Sequence, residues 1–495
     1  MEELKFNKSL FVYLVGILFI LLEGATHAAS LQERITLWNP IGHSLDKIEA
    51  AIPRLTIKGM IRNVSFLNLH GKTGKVGGIR TGPLRGGGSR SRRHRWESIE
   101  WLQELELNYS LTPNIELIAI ENFRYDAVFD WDGTDFSNTA EKEEEYFRHT
   151  KQILRELYAR FLLKNLVLQI GKQQVAWGKM EGKFIDVVNP DFDAWRGPTN
   201  YAENYEWSRI PLWMANVLYI WKDYSLNLLW IPDFEPDNWG ILGQGIAPGG
   251  PWSLRNSGDA HSYRVDRPPS SIGNHEWGAR FDLLKEGWGL SFIYFYAWND
   301  IPTIFRRPWG QEAKHTRLHY FGFSLDKSFF IRNQDWVFRV ESLYTMDNYL
   351  PNLQEPPGMD GVSKANNLLS SFSIATQWKN QISTTFQIWH NRWFKFHEKE
   401  RSPGLMGWYY KEDWGGLILA CSKAYLSLEN RLSTGITFYS YFSEGDFRIR
   451  PWAKWEISNY LYFLVEFQGY SGNSNDVVGP YEDWDNLRFE LVYNF

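Results

Sequence analysis

The sequence predicts an all-β chain: one transmembrane antiparallel barrel of about 18 strands, a count of 16 also fitting the pattern. Three observations carry this. The last residues alternate, with Leu487, Leu491, Tyr493 and the aromatics Phe489 and Phe495 on one side and Asn486, Arg488, Glu490, Val492 and Asn494 on the other. Strand-like segments recur from Leu55 to the last residue, and their connections alternate between short and long. The chain starts like an exported protein, with Lys5 and Lys8, an apolar run from Leu10 to Leu22, then Ala25-Thr26-His27-Ala28-Ala29.

The start is read as a signal peptide over residues 1–28, removed after Ala28. Its apolar run is shorter than the roughly 20 residues of a spanning helix. No Cys follows it, which argues against a lipoprotein. Residues 29–54 form a periplasmic or plug segment, in which Leu37, Ile41, Leu45, Ile48 and Ile52 are spaced for a short amphipathic helix.

The barrel occupies 55–495. Strands are predicted at 55–69, 97–111, 115–129, 152–163, 166–178, 211–221, 224–231, 275–284 and 287–298. The second half is predicted at 315–325, 335–346, 367–378, 381–393, 413–422, 432–442, 446–457, 459–470 and 484–495. Tight turns such as Thr112-Pro113-Asn114, Lys164-Asn165, Lys222-Asp223, Lys285-Glu286, Asn380 and Ser458 each follow an even strand. Long connections such as 70–96, 130–151, 179–210, 232–274 and 394–412 each follow an odd one. Short periplasmic turns against long external loops produce that sorting; a soluble sandwich has no reason to.

Individual strands show the two faces. Leu105, Leu107, Tyr109 and Leu111 alternate with Glu104, Glu106, Asn108 and Ser110; Phe123 and Tyr125 alternate with Arg124 and Asp126. Faces this charged need water, so the lumen is expected to be wet. The 25 Trp, 25 Tyr and 32 Phe suit aromatic girdles at two membrane interfaces. Mean hydropathy is only −0.40, as expected when polar lumen residues dilute the lipid-facing ones.

Composition also excludes. The single Cys421 rules out an internal disulfide and a Cys-rich metal or haem site, and no cofactor is implied. A net charge of −5 gives no reason to expect nucleic acid. The 11 His lie outside any Gly-x-Ser-x-Gly or His-x-Ser pattern, so no enzyme is expected. Expected partners are outer-membrane lipid, lipopolysaccharide, the barrel-assembly machinery reading Tyr493 and Phe495, and a small solute of unspecified identity.

Candidate solute-contacting residues come from the lumen faces and one loop. Glu156 and Arg160 share a face of the fourth strand, and Arg339 and Glu341 one of the eleventh. Arg448, Arg450 and Lys454 make a basic stripe on the sixteenth, and Arg488 and Glu490 share a face of the last. Charged rings of this kind tune selectivity. A Gly/Arg-rich run (Arg80, Arg85, Arg90, Arg92, Arg93, Arg95) reads as a solvated external loop, or as a phosphate-binding one. The acidic run Asp130, Asp132, Asp135, Glu141, Glu143, Glu144 and Glu145 lacks full calcium-loop spacing.

The most specific stretch is Gly171-Lys172-Gln173-Gln174-Val175-Ala176-Trp177-Gly178 followed by Asp186-Val187-Val188-Asn189-Pro190-Asp191-Phe192-Asp193-Ala194-Trp195-Arg196. It resembles an uncharacterised family of proteobacterial porin-like outer-membrane barrels. More loosely it is similar to alginate-export barrels, in the Gly-Lys-Gln strand and the Phe192-Asp193-Ala194-Trp195-Arg196 loop. The resemblance implies a passive channel in the outer membrane of a Gram-negative bacterium. Loop 179–210 would fold inward and narrow it, with Asp186, Asp191, Asp193 and Arg196 at the constriction. The alternative is a non-conducting scaffold or export barrel that houses a partner protein or polymer. A sheath needs a wide lumen with no inward loop, and a polyanion exporter a continuous arginine lining.

Overall fold

A computed structural model describes residues 39–69, 75–76, 79–80, 96–127, 153–180, 185–191, 205–237, 264–308, 310–352, 359–396, 411–442, 445–472, 478 and 485–495. The signal peptide, most of the basic run and the acidic run lie outside these residues.

The barrel strands in chain order are β1 Leu55–Asn68, β2 Trp96–Thr112, β3 Ile115–Asp126, β4 Leu154–Leu163, β5 Leu166–Gln173 and β6 Leu212–Trp221. Then come β7 Tyr224–Ile231, β8 Glu276–Lys285, β9 Trp288–Trp298, β10 Arg317–Ile331, β11 Gln334–Pro351 and β12 Val362–Trp378. The last six are β13 Ile382–Phe394, β14 Asp413–Ala424, β15 Leu432–Tyr441, β16 Asp446–Glu456, β17 Leu461–Ser471 and β18 Asn486–Asn494. Each pairs antiparallel with its sequence neighbours, in one 18-stranded sheet. The sheet closes because β1 also pairs with β18, Met60 opposite Asn494 and Asn68 opposite Asn486. All 18 expected strands are present. At strand spacings near 4.8 Å and tilts near 40°, such a ring is roughly 35 Å across.

The tight turns gather at one rim. Lys164, Lys222, Glu286, Arg332 and Asn333 take left-handed φ values of 37° to 60° there, as two-residue hairpins require. At the opposite rim Arg264–Asp266, Gly310–Lys314 and Thr303–Arg307 form a three-stranded sheet. It is tied to the β11–β12 connection by Arg306 N donating to Asp360 O at 2.7 Å and by an Arg307–Asp360 ion pair.

The outer face is apolar and aromatic-ended. On β6, Trp213 and Trp221 flank Tyr219; on β7, Tyr224 and Trp230 flank Leu226 and Leu228; all are well exposed. Their alternates on β7, Asn227, Leu229 and Ile231, are buried on the inner side. Helix α1 spans Pro40–Ala51, with Asn39 capping it by accepting from Gly42 N at 3.0 Å.

β10, β11 and β12 run about five or six residues past their predicted ends towards the two rims. β5 is shorter than predicted: it stops at Gln173, because the chain there leaves the wall and enters the barrel.

Candidate lumen site

The departure begins at Gly171, with φ of 137°. A Cβ there would sit 2.2 Å from Leu157 O on β4, so only glycine fits. Beyond it, backbone donors that would have joined the sheet are taken by side chains of the same segment. Val175 N donates to Asn189 Oδ1 at 2.7 Å, and Trp177 N to Asp186 Oδ1 at 3.1 Å. Asn189 Nδ2 donates to Ile210 O at 2.8 Å, and Arg209 donates twice to Asp186 Oδ2, at 2.8 and 2.6 Å. Asp186 and Asn189 thus bind residues 174–180, 185–191 and 205–210 into one strap, which Arg209 and Ile210 join to the start of β6.

One end of the strap docks on the inner wall of β6–β11. Val175, Trp177, Ile185 and Val188 pack against Leu212, Met214, Leu229, Ile231, Ile293, Phe295, Ala297 and Leu343. Burial of each large side chain contributes about 1.5–3 kcal/mol. The Trp177 indole N–H donates to Asn227 Oδ1 at 3.1 Å, its ring meets Phe295 edge-on, and Arg280 Nη1 donates to Trp177 O at 2.9 Å. Furthest out, Lys179 N donates to Glu341 Oε1 on β11 at 2.7 Å, and Lys179 Nζ pairs with Asp326 on β10 at 2.5 Å.

The other end docks on β1–β4. Helix α2, the single turn Tyr205–Ser208, offers its carbonyls to two buried arginines: Arg124 Nη2 donates to Trp207 O at 2.8 Å, and Arg155 donates to Glu206 O. The Arg62 guanidinium lies 4.2 Å above the Trp207 ring, which packs against Met60, Leu102 and Val492. β1 and β11 stand ten strands apart one way round a ring of 18 and eight the other. A segment touching the inner faces of both crosses the lumen.

A buried polar ladder lines the wall beneath Trp207. Arg62 donates to both oxygens of Glu490 at 3.1 Å, and Arg488 also bonds Glu490. Arg488 Nη1 lies 3.6 Å from Glu466, which receives Arg450 at 3.1 and 2.6 Å. Arg448 continues it, donating to Gln468 Oε1 at 3.1 Å with Tyr470 OH on the same oxygen at 2.6 Å. These charged side chains are at most 5 % exposed. Among the described bonds, each of these two carboxylates is held between guanidiniums.

The structure joins some expected residues and separates others. Asp186 is in the strap, paired with Arg209; Asp191 donates its N–H to Asp237 Oδ1 at 2.5 Å. Asp193 and Arg196 lie outside the described residues. Glu156 and Arg160 do not pair: Glu156 accepts from Gln174 at 2.9 Å and Arg160 from β4 pairs with Glu116 on β3 at 2.9 Å. Glu341 meets the strap, while Arg339, two residues away, stands opposite Asp326 and Ser373. Arg448 and Arg450 belong to the ladder and Lys454 pairs with Glu456 at 3.0 Å, so the basic residues of the sixteenth strand each have a polar partner. Asp126 stands opposite Glu100 at the end of β3. Tyr493 and Phe495 lie on the outer face, ring centroids 5.7 Å apart. Sequence reasoning missed Trp177, Asn189, Arg209, Trp207, Arg155, Arg62 and Glu466.

The fold defines a closed 18-stranded antiparallel barrel crossed by an inward strap. Residues 97–495 match the family described as protein of unknown function (DUF1302), and the chain belongs to that family. No curated protein matches it. Among solved structures it is similar to OpdK of Pseudomonas aeruginosa, at 8% identity and TM-score 0.48, over 89% of this chain and 98% of that one. It is also similar to a BenF-like porin of Pseudomonas fluorescens Pf-5, at 7% identity and TM-score 0.47, over 90% of this chain and 98% of that one.

Proposed function

We propose that this protein is an outer-membrane channel for passive passage of small solutes, narrowed by the strap. The aromatic-ended apolar face supports insertion in a bilayer as a barrel. The observation that carries the channel reading is the crossing itself, from Lys179 on Glu341 of β11 to Trp207 on Arg62 of β1. A barrel sheathing a protein or polymer would need that space clear. A solute passes beside the strap and along a wall of paired charges, whose dipoles and ions favour small polar solutes over apolar ones. In this reading Tyr493 and Phe495, on the outer face of β18, are what the barrel-assembly machinery binds.

The test is swelling of liposomes carrying the purified protein, with uncharged sugars of increasing size. The reading expects influx of small sugars with a sharp size limit. Equal influx of large oligosaccharides would mean an unobstructed lumen.

A further inference from the structure

We infer that helix α1 is an interfacial anchor, its apolar stripe seated in the periplasmic leaflet of the membrane beside the barrel's closing seam. This rests on the outer-membrane reading above.

The helix is on the outside of the barrel. Tyr493 alternates with Val492, which packs on Trp207 inside the lumen, so Tyr493 faces out. Its hydroxyl donates to Asn39 Oδ1 at 2.7 Å and accepts from Ile41 N at 3.3 Å, fixing the helix start to that outer face. The far end is fixed by Glu49, whose Oε1 accepts from Ile57 N at 2.5 Å. Among the described residues β1 has no strand partner on that side below Met60 apart from the Gly59–Phe495 backbone bonds, so Glu49 takes up an edge donor of the barrel. The helix, about 18 Å long, therefore lies along the seam from Tyr493 down to the turn-bearing rim.

The residues that hold it there are not its apolar ones. At 100° per residue, Ile41, Leu45, Ile48 and Ile52 fall within an arc of about 60°. Gly42 and Glu49, which face the barrel, centre about 80° further round. His43, Asp46, Lys47 and Ala50 occupy the opposite side. The stripe is open towards its C-terminal end, with Ile48 and Ile52 each 43% exposed and Ile41 and Leu45 half-buried nearer Tyr493. Beside it on the same outer surface lie Leu107, Tyr109 and Leu111 of β2, between 36% and 46% exposed. The stripe thus continues the barrel's own lipid-facing surface, and its polar side turns to the periplasm. Lipid is the occupant this continuity selects.

The test places single nitroxide labels on the full-length protein in a Cys421→Ser background, reconstituted in phosphatidylethanolamine/phosphatidylglycerol vesicles. Labels go at His43→Cys, Lys47→Cys, Ile48→Cys and Ile52→Cys, with Leu228→Cys as a belt control. Collision with oxygen reports lipid; collision with a water-soluble nickel chelate reports water. The inference expects positions 48 and 52 to match 228, with an oxygen-to-nickel ratio several-fold above that of 43 and 47. Nickel access at 48 and 52 equal to that at 47 would overturn it, as would shielding from both reagents, which would mean a protein partner. If 228 itself is open to nickel, the membrane reading fails together with the inference.

Discussion

Arg62 on β1 and Glu490 on β18 hold each other across the line where the barrel closes, with two parallel bonds of 3.1 Å between side chains only 2% exposed. Arg488 and Tyr462 bind the same carboxylate, the latter at 2.8 Å. One glutamate therefore binds two buried cations at the seam where β1 meets β18.

Glu490→Ala should leave both guanidiniums buried without that counter-charge, at a cost of about 3–5 kcal/mol. The expected result is a lower urea midpoint for the folded barrel. Lys454→Ala, at a half-exposed pair, should change it by less than about 1 kcal/mol. Equal effects of the two variants would contradict the ladder's role.

Gly171→Val should prevent normal folding, since its Cβ would overlap Leu157 O. Gly445 also has positive φ, of 75°, but nothing lies within 4 Å of a Cβ there. Gly445→Ala should therefore fold with only a mild loss, of about 1 kcal/mol. The yield of heat-modifiable folded barrel on gels separates the two.

Trp177→Ala should loosen the strap while sparing the wall. The lost burial is about 3–5 kcal/mol, concentrated at one docking surface. Limited proteolysis should cut within 174–180 or 185–191 in the variant and not in the native protein. Channel current should become larger and noisier.

His315, in the connection before β10, is buried against Phe234 with its Nδ1 2.7 Å from Asn299 O. Burial, the larger effect, holds its pKa below the ordinary 6.5 despite that backbone bond. The neutral ring is the one the fold accepts, so its stabilising contribution is complete above pH 6.5 and is lost as pH falls towards the lowered folded value. Protease susceptibility of residues 299–316 should rise between pH 7.5 and 5, and His315→Gln should flatten that change.

The wall was readable because a strand's two faces repeat every second residue and the connections alternate in length. Both signals are local, and they located every strand. The site was less readable, because its contacts are distant in sequence: Lys179 meets Glu341 162 residues away, and Arg62 meets Glu490 428 residues away. Gly171 and the Asp186–Asn189 stretch did mark where the chain turns inward. Trp177 gave no such sign, since one aromatic among 25 Trp looks the same in lipid or lumen. The charged stripe on β16 was legible as charge but not as a ladder. Glu466, its partner, becomes visible only once the register of β16 with β17 is known.

The central claim is that the strap narrows a conducting lumen without sealing it. Single-channel current of the purified protein in a planar bilayer tests this most directly. The account predicts a stable open state, well below the conductance of an unobstructed cylinder roughly 35 Å across. A folded barrel that passes no current, or one that conducts as an empty cylinder, would contradict it.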